Sequence, residues 1–511
     1  MVELTVGRAL RLAVERNYLR PALAWGDRRL SFGALGARGN RIANALLAAG
    51  LKPGDRLGVM LPNSGEYVAL AYAAAQAGLV MMPLSYRFRG PEIAYVLGDG
   101  GARGLVYHAD YRAEVDRARG NLPGMLTFAL GNAGAADTGE LLALAALQPA
   151  TAPQVEVHEN DLFYLGYTSG TTGRPKGAMI AHRNRALAFQ LWALEYGIGP
   201  DDAVLHVAPF HHTAPLTFTL TQLCMGGRVV ILHKFDVEEV LRTLVREEIG
   251  WSFMVPYMYR ALLAAVGTQT TRFRLPRLRF FVSGGSVLPT STKLALLETF
   301  PGVGLHEFYG ATEVGIVTNL RPEDQRRKVR CVGRPVRDVE VRVLLPDDTP
   351  AAPGVPGDIW IRSSTLFRGY FNAPEQTGQS MRGDWVTVGD IGTTDEEGYL
   401  YIVDRRKDVI KSGGVSVFPA EIEEVLLSHA GVLQAAVIGI PDPRWGEAVH
   451  AIVVPRSGHE PSVDDLIAHC RRVLSDYKLP KSVEFRSSLP MSPAGKVLKR
   501  QLREEFAAQE P

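Results

Sequence analysis

The run at residues 68–84, VALAYAAAQAGLVMMPL, is almost free of polar side chains, yet Gln76, Gly78 and Pro83 interrupt it before it reaches the roughly 20 apolar residues a membrane span needs. Such a run must be buried in protein. Asn63 or Ser64 can cap a helix at its start, Gly78 can end that helix in the left-handed conformation that costs glycine little, and Leu79-Val80-Met81-Met82 reads as a buried strand. The alternation recurs: 202–208 is strand-like, 213–224 helical, 228–232 strand, 237–248 helix, and 251–255 and 278–282 are strands. Strands alternating with helices predict an α/β fold with largely parallel sheets covered on both faces.

With 511 residues the chain has room for about three compact units, or one large unit and a smaller one. Between 120 and 153 the composition turns to Ala and Gly, with an apolar LLALAAL segment at 141–147, and predicts a surface excursion. From about Gly333 short alternating segments at 339–344, 357–361 and 399–403 predict antiparallel strands. Beyond Asp404, helices at 419–429 and 463–474 and strands at 434–440 and 448–454 predict a compact α+β domain. The expected division is 1–403 and 404–511.

Fifty-six Lys and Arg against 54 Asp and Glu leave a formal charge of +2, too weak a field to hold nucleic acid or an anionic membrane. The basic run at 326–330 follows acids and reads as a solvated loop. Cys224, Cys331 and Cys470 are odd in number and far apart, which fits a reducing compartment. The first residues carry charges throughout and lack the apolar core of a secretory signal. A cytoplasmic protein without a transmembrane segment is expected, and a homodimer is compatible with the sequence.

The most informative stretch is Tyr167-Thr168-Ser169-Gly170-Thr171-Thr172-Gly173-Arg174-Pro175-Lys176-Gly177. Three glycines let the backbone turn its amides inward, hydroxyls add donors, and a lysine supplies a point charge, so the chemistry is phosphate holding. It is not a Walker A loop, because Pro175 stands where that motif needs glycine, and Ser169 is one place too late for a nucleophile elbow.

This stretch resembles the ATP-phosphate loop of the acyl-adenylate-forming superfamily, which includes acyl-CoA synthetases, luciferases and peptide-synthetase adenylation domains. Four more segments match in order. Phe308-Tyr309-Gly310-Ala311-Thr312-Glu313 resembles the YG-x-TE motif, Trp385-Val386-Thr387-Val388-Gly389-Asp390 the W-x-x-TGD motif, the segment from Asp404 to Gly414 the hinge and glycine loop, and Pro493-Ala494-Gly495-Lys496 the terminal P-x-x-GK. The resemblance implies a large N-terminal domain of α/β-layered sheets with a small β-barrel-like part, and a small mobile α+β C-terminal domain hinged at Asp404. It further implies that Thr168, Ser169, Thr171, Thr172 and Lys176, with the loop glycines Gly170 and Gly173, hold the β- and γ-phosphates of ATP. Tyr309, beside Phe308 and Gly310, would stack on adenine against a wall of Ser283, Gly284 and Gly285. Thr312 would touch the α-phosphate, Glu313 would hold Mg²⁺, Asp390 and Arg405 would hold the ribose, and Lys496 would bridge the attacking carboxylate and the α-phosphate. Val388 stands where the family usually has threonine, and Val415-Ser416 where many CoA ligases have Glu-Asn.

After adenylation the acyl group can pass to CoA, to a carrier-protein thiol, or to oxidation. The segments 410–414, 441–447 and 477–481 resemble fatty-acyl and aryl-CoA ligases most closely. By that similarity Arg87, Ser412, Gly413, Gly414 and Trp445 are candidates for contacting CoA. The alternative is a stand-alone adenylating enzyme that loads a separate carrier protein. In the family the acyl pocket follows Pro209 and includes the strand near Phe253 and the residues after Tyr309, so His212, Phe253, Tyr257, Gly310, Val314 and Gly315 are its candidates here. Residues 205–227 and 251–259 contain no Asp, Glu, Lys or Arg, which favours a carboxylic acid with an uncharged tail. His206, His211 and His212 lack the ligand spacing of a zinc site.

Overall fold

The computed structural model describes residues 2–168, 175–267, 275–413, 415–491 and 497–507. The apolar run at 68–84 forms the helix Gly65–Ala77 and the strand Val80–Pro83. Ser64 accepts a hydrogen bond from the Tyr67 amide at the helix start, and Gly78 closes its end at φ 67°, a conformation glycine adopts without a steric penalty. The helix is buried around almost its whole circumference, which explains why its pattern shows little periodicity.

Among the described residues two large sheets pack around a common core. The first runs Gly139–Glu140, Leu126–Leu130, Ala102–His108, Arg56–Met60, Val80–Pro83, Leu162–Thr168, Lys176–Ala181. Its neighbours are parallel except for the last two, an antiparallel pair flanking the glycine- and hydroxyl-rich loop. The second is parallel from Pro21–Trp25 through Arg228–Ile231, Ala203–His206, Trp251–Met254 and Phe280–Ser283 to Gly304–Ala311. Antiparallel strands close both of its edges. The four strands expected between 202 and 282 are neighbours in this sheet.

The segment 120–153 is not the surface excursion its composition predicts. Leu126–Leu130 is a strand of the first sheet with Phe128 fully buried, and the helix Leu141–Ala146 packs against the helix Phe32–Ala48 through Leu141. The connection between them is largely exposed. It is tied down by buried Asp137, which accepts from Tyr107 at 2.9 Å, Arg112 at 2.7 Å, Arg119 at 2.9 Å and the Gly134 amide at 2.7 Å. Burial alone would raise the Asp137 pKa; these donors overcome it and hold the carboxyl well below its usual range.

The barrel-like part is an antiparallel sheet built from Val339–Leu344, Gly357–Ser363, Met381–Arg382, Trp385–Val386, Asp390–Thr394 and Leu400–Arg405. A smaller α+β domain follows, with the helix Pro419–Ser428 lying on a sheet centred on the hairpin Val432–Asp442 and Gly446–Pro455. Ile402 packs against the large core, whereas Ile410 belongs to a separate one with Val417, Ile422 and Leu426. Across the junction Glu424 pairs with Arg330 and accepts from Thr290 at 3.3 Å, and Arg406 reaches Asp358 at 2.6 Å. Among the described residues no helix is long and apolar enough to cross a membrane.

Candidate active site

Thr168 ends one strand of the loop-flanking hairpin and Lys176 begins the other, directly opposite it in register. Glu313 reaches the same place from the turn after Gly304–Ala311. Its Oε1 accepts from Thr168 Oγ1 at 3.3 Å and from the Tyr370 phenol at 2.9 Å, and the Lys176 ammonium lies 5.4 Å above the Tyr370 ring. Burial lowers the Lys176 pKa, and the Glu313 charge partly opposes that. A buried carboxylate beside a threonine hydroxyl is a hard-oxygen donor set that fits Mg²⁺, which needs few protein ligands when phosphate oxygens and water complete its shell. No cluster of three or more His, Cys, Asp or Glu among the described residues could hold a metal without them.

Tyr309 lies on the same strand as Phe308. Its hydroxyl donates to Asp390 Oδ2 at 2.7 Å, and Arg405 Nε stands 3.3 Å from Asp390 Oδ1. A Cβ at Gly310 would collide with the Gly315 carbonyl, and one at Gly284 with the Phe308 ring, so both positions need glycine for close packing.

These groups border a cleft of about 1190 Å³. Thr168, Lys176, Thr312 and Glu313 line one region of it, and Trp192, Val207, His212, Phe253, Tyr257 and Phe308 line another. Gly285, Gly310, Gly315, Arg87 and Arg405 also face it. Tyr309, Asp390, Ser283, Gly284 and Val314 do not; Ser283, Val314 and Asp390 are buried behind the surface. From the small domain Leu427, Gln434 and Met491 face the cleft, and Lys496 is five positions beyond Met491. Ser412, Gly413 and Trp445 lie elsewhere: the Gly413 amide donates to the Trp445 carbonyl at 2.7 Å, and the half-exposed indole covers Gly413. Ser169, Gly170, Thr171, Thr172, Gly173, Gly414 and Lys496 lie outside the described residues.

Several cleft residues were not anticipated. Tyr370 is one. Asn63 is another: its Oδ1 accepts from the Phe210 amide at 2.8 Å and its Nδ2 donates to the Ala208 carbonyl at 3.0 Å, shaping the turn that carries His212. Lys234 and Arg260 bring charge to a cleft whose acyl segments carry none. His211 does not line the cleft; its ring packs edge-on against Tyr86, with a ring-centroid distance of 5.4 Å, and burial drives its pKa well below the usual value.

The model of the AMP-binding enzyme family matches residues 10–371, and that of the AMP-binding enzyme C-terminal domain matches 421–496. The chain belongs to the AMP-binding enzyme family, among its AMP-forming acyl-CoA ligases. It is 36% identical to a feruloyl-CoA synthase from Amycolatopsis sp, over 95% of this chain and 96% of that one. It is 35% identical to the long-chain-fatty-acid–CoA ligase FadD13 of Mycobacterium tuberculosis, over 97% and 96%. The ATP-bound crystal structure of MatB from Rhodopseudomonas palustris superposes with a TM-score of 0.90 at 30% identity, covering 99% of both chains.

Proposed function

We propose that the protein activates a monocarboxylic acid with an apolar or aromatic tail, using ATP and Mg²⁺, and passes the acyl group to CoA. What carries this is one cleft in which the hydroxyl, ammonium and carboxylate groups of Thr168, Lys176, Thr312 and Glu313 adjoin a surface of Trp192, Phe253 and Phe308. The first set suits a polyphosphate and the second a flat or aliphatic tail.

In the first half-reaction a carboxylate oxygen bonds to the α-phosphorus while the bond to pyrophosphate breaks. Two anions must approach, so charge stabilisation and positioning dominate over proton transfer. Lys176 and the hydroxyl loop hold the leaving pyrophosphate, Thr312 donates to the α-phosphate, and Lys496 bridges it to the incoming carboxylate. Tyr309, Asp390 and Arg405 hold the nucleoside. Glu313 and Thr168 would hold Mg²⁺, which supplies Lewis-acid neutralisation of the phosphate oxygens. In the second half-reaction the CoA thiolate attacks the acyl carbonyl and AMP leaves.

The division at Asp404 is part of the same proposal. Met491 faces the cleft while Gly413 and Trp445 do not; in this reading the small domain presents the side that bears Met491 for adenylation and turns about Asp404 to present the glycine loop. Arg87, with Lys234 and Arg260, then offers positive charge to the CoA phosphates. The test is a panel of aromatic and short-, medium- and long-chain monocarboxylates, with dicarboxylates and amino acids as controls, assayed for pyrophosphate and AMP release with and without CoA. CoA-dependent AMP release is expected. AMP release indifferent to CoA would favour transfer to a carrier protein, and a dicarboxylate as best substrate would overturn the assignment of the tail.

A further inference from the structure

Arg185 lies on the helix His182–Tyr196, is only 4% exposed, and has no carboxylate at ion-pair distance among the described residues. A guanidinium withdrawn from water without a counter-charge is destabilising, so a chain that keeps one gains something by it. Its partners are a hydroxyl and a ring. Nη1 donates to Thr217 Oγ1 at 2.7 Å, and that hydroxyl in turn donates to the Thr213 carbonyl at 2.7 Å. The guanidinium carbon also sits 5.5 Å from the centroid of the Tyr164 ring. Tyr164 and Thr213 then begin a chain that leads outward: the phenol lies 3.2 Å from Thr213 Oγ1, which lies 3.1 Å from Thr312 Oγ1. Thr213 and Thr312 both line the cleft, and Arg185 does not.

Each hydroxyl in this chain can donate in either direction. A fixed positive charge at the buried end settles the direction, because it strengthens the Tyr164 phenol as a donor and disfavours hydrogens pointing back toward the guanidinium. Tyr164 then donates to Thr213, Thr213 to Thr312, and the Thr312 hydrogen is left for the cleft. We propose that Arg185 is a positioning residue that polarises this hydroxyl chain so that Thr312 presents a donor to the α-phosphate. The inference rests on the placement of that phosphate beside Thr312 proposed above.

Calorimetric titration with AMP and with adenosine tests it without knowledge of the acid. In Arg185→Met, AMP should bind about tenfold more weakly, about 1.4 kcal/mol, adenosine should bind as in the wild type, and the Tm should be unchanged or higher because a buried cation has been removed. A purely structural arginine would instead lower the Tm and weaken both ligands together, and that result overturns the inference, as does unchanged AMP affinity. Tyr164→Phe keeps the ring, removes the link, and carries the same expectation, so it decides the matter if Arg185→Met does not fold. Thr312→Val separates the premises. If it leaves AMP affinity unchanged, the phosphate placement falls and the inference with it; if it weakens AMP while Arg185→Met and Tyr164→Phe do not, the inference alone falls.

Discussion

The Tyr309 phenol donates to Asp390 Oδ2 at 2.7 Å, joining the residue assigned to adenine and the residue assigned to ribose in one hydrogen bond. The bond locks the ring in place and leaves the carboxylate further lone pairs for sugar hydroxyls. Tyr309→Phe keeps the aromatic face and loses only this bond, so the KM for ATP should rise about three- to tenfold with little change in kcat. Asp390→Ala should raise it about a hundredfold. Equal, small effects in ATP–pyrophosphate exchange would remove Asp390 from the ribose site.

Glu313→Gln keeps shape and removes charge. Adenylation should fall about a hundredfold or more while the Tm shifts little, since no cavity is created. The Mg²⁺ concentration for half-maximal rate should also rise. A variant fully active at low Mg²⁺ would exclude the carboxylate from metal binding.

Asn63→Ala leaves the Phe210 amide and the Ala208 carbonyl without their shared partner in a buried turn, which should destabilise the protein by about 1–3 kcal/mol. Because that turn carries His212, the variant's preference among acids should change more than its KM for ATP. His212→Ala should shift acid preference in the same selective way. Parallel changes in both parameters would mean the turn does not shape the acyl site.

Lys496→Ala should block acyl-AMP formation yet let a supplied acyl-AMP react with CoA. Asp404→Pro fixes φ at the proposed hinge and should do the reverse. Asp404 is buried, accepting from the Ala420 amide at 2.9 Å and the Arg405 amide at 2.7 Å, so Asp404→Asn serves as the control for lost charge without fixed φ. Rapid-quench measurement of each half-reaction decides the matter, and proportional losses in both halves for both variants would rule out alternation.

His182 and His206 are buried, and burial lowers their pKa to about 4 and about 3. Below the unfolded value of about 6.5 the unfolded chain takes up protons that the folded one refuses, so stability must fall as pH drops from 7 toward 4. Among the described residues neither His206 ring nitrogen has a hydrogen-bond partner, and the ring packs on Phe210 and Trp251. His206→Leu should therefore lose less urea resistance between pH 7 and pH 5 than the wild type. Identical slopes would show that His206 does not contribute to the acid sensitivity.

The helix Gly65–Ala77 and its strand were legible because burial on all sides writes a run almost free of polar side chains, with a cap at each end of the helix. The run 167–177 was legible because its glycines, hydroxyls and lysine stand close together in one short stretch of sequence. Leu126–Leu130 was not: one short strand between Gly- and Ala-rich flanks carries too little periodicity to stand out, although Phe128 is buried. Tyr370 and Asn63 escaped for a different reason. Each acts on a partner far along the chain, 57 positions from Tyr370 to Glu313 and 147 from Asn63 to Phe210, and only the folded sheets bring them together.

The strand Leu400–Arg405 pairs Asp404 with Ile391 and Arg405 with Asp390. A turn of the small domain about Asp404, as proposed above, would pull on the next rung of that ladder, where the Arg405 side chain also meets the Asp390 carboxylate. On that proposal the step that swings the thiol-accepting face inward is also the step that would loosen the clasp on the sugar. Such a linkage would act as an escapement: the nucleotide would be gripped while the mixed anhydride is made, and its hold would slacken on the same stroke that spends it.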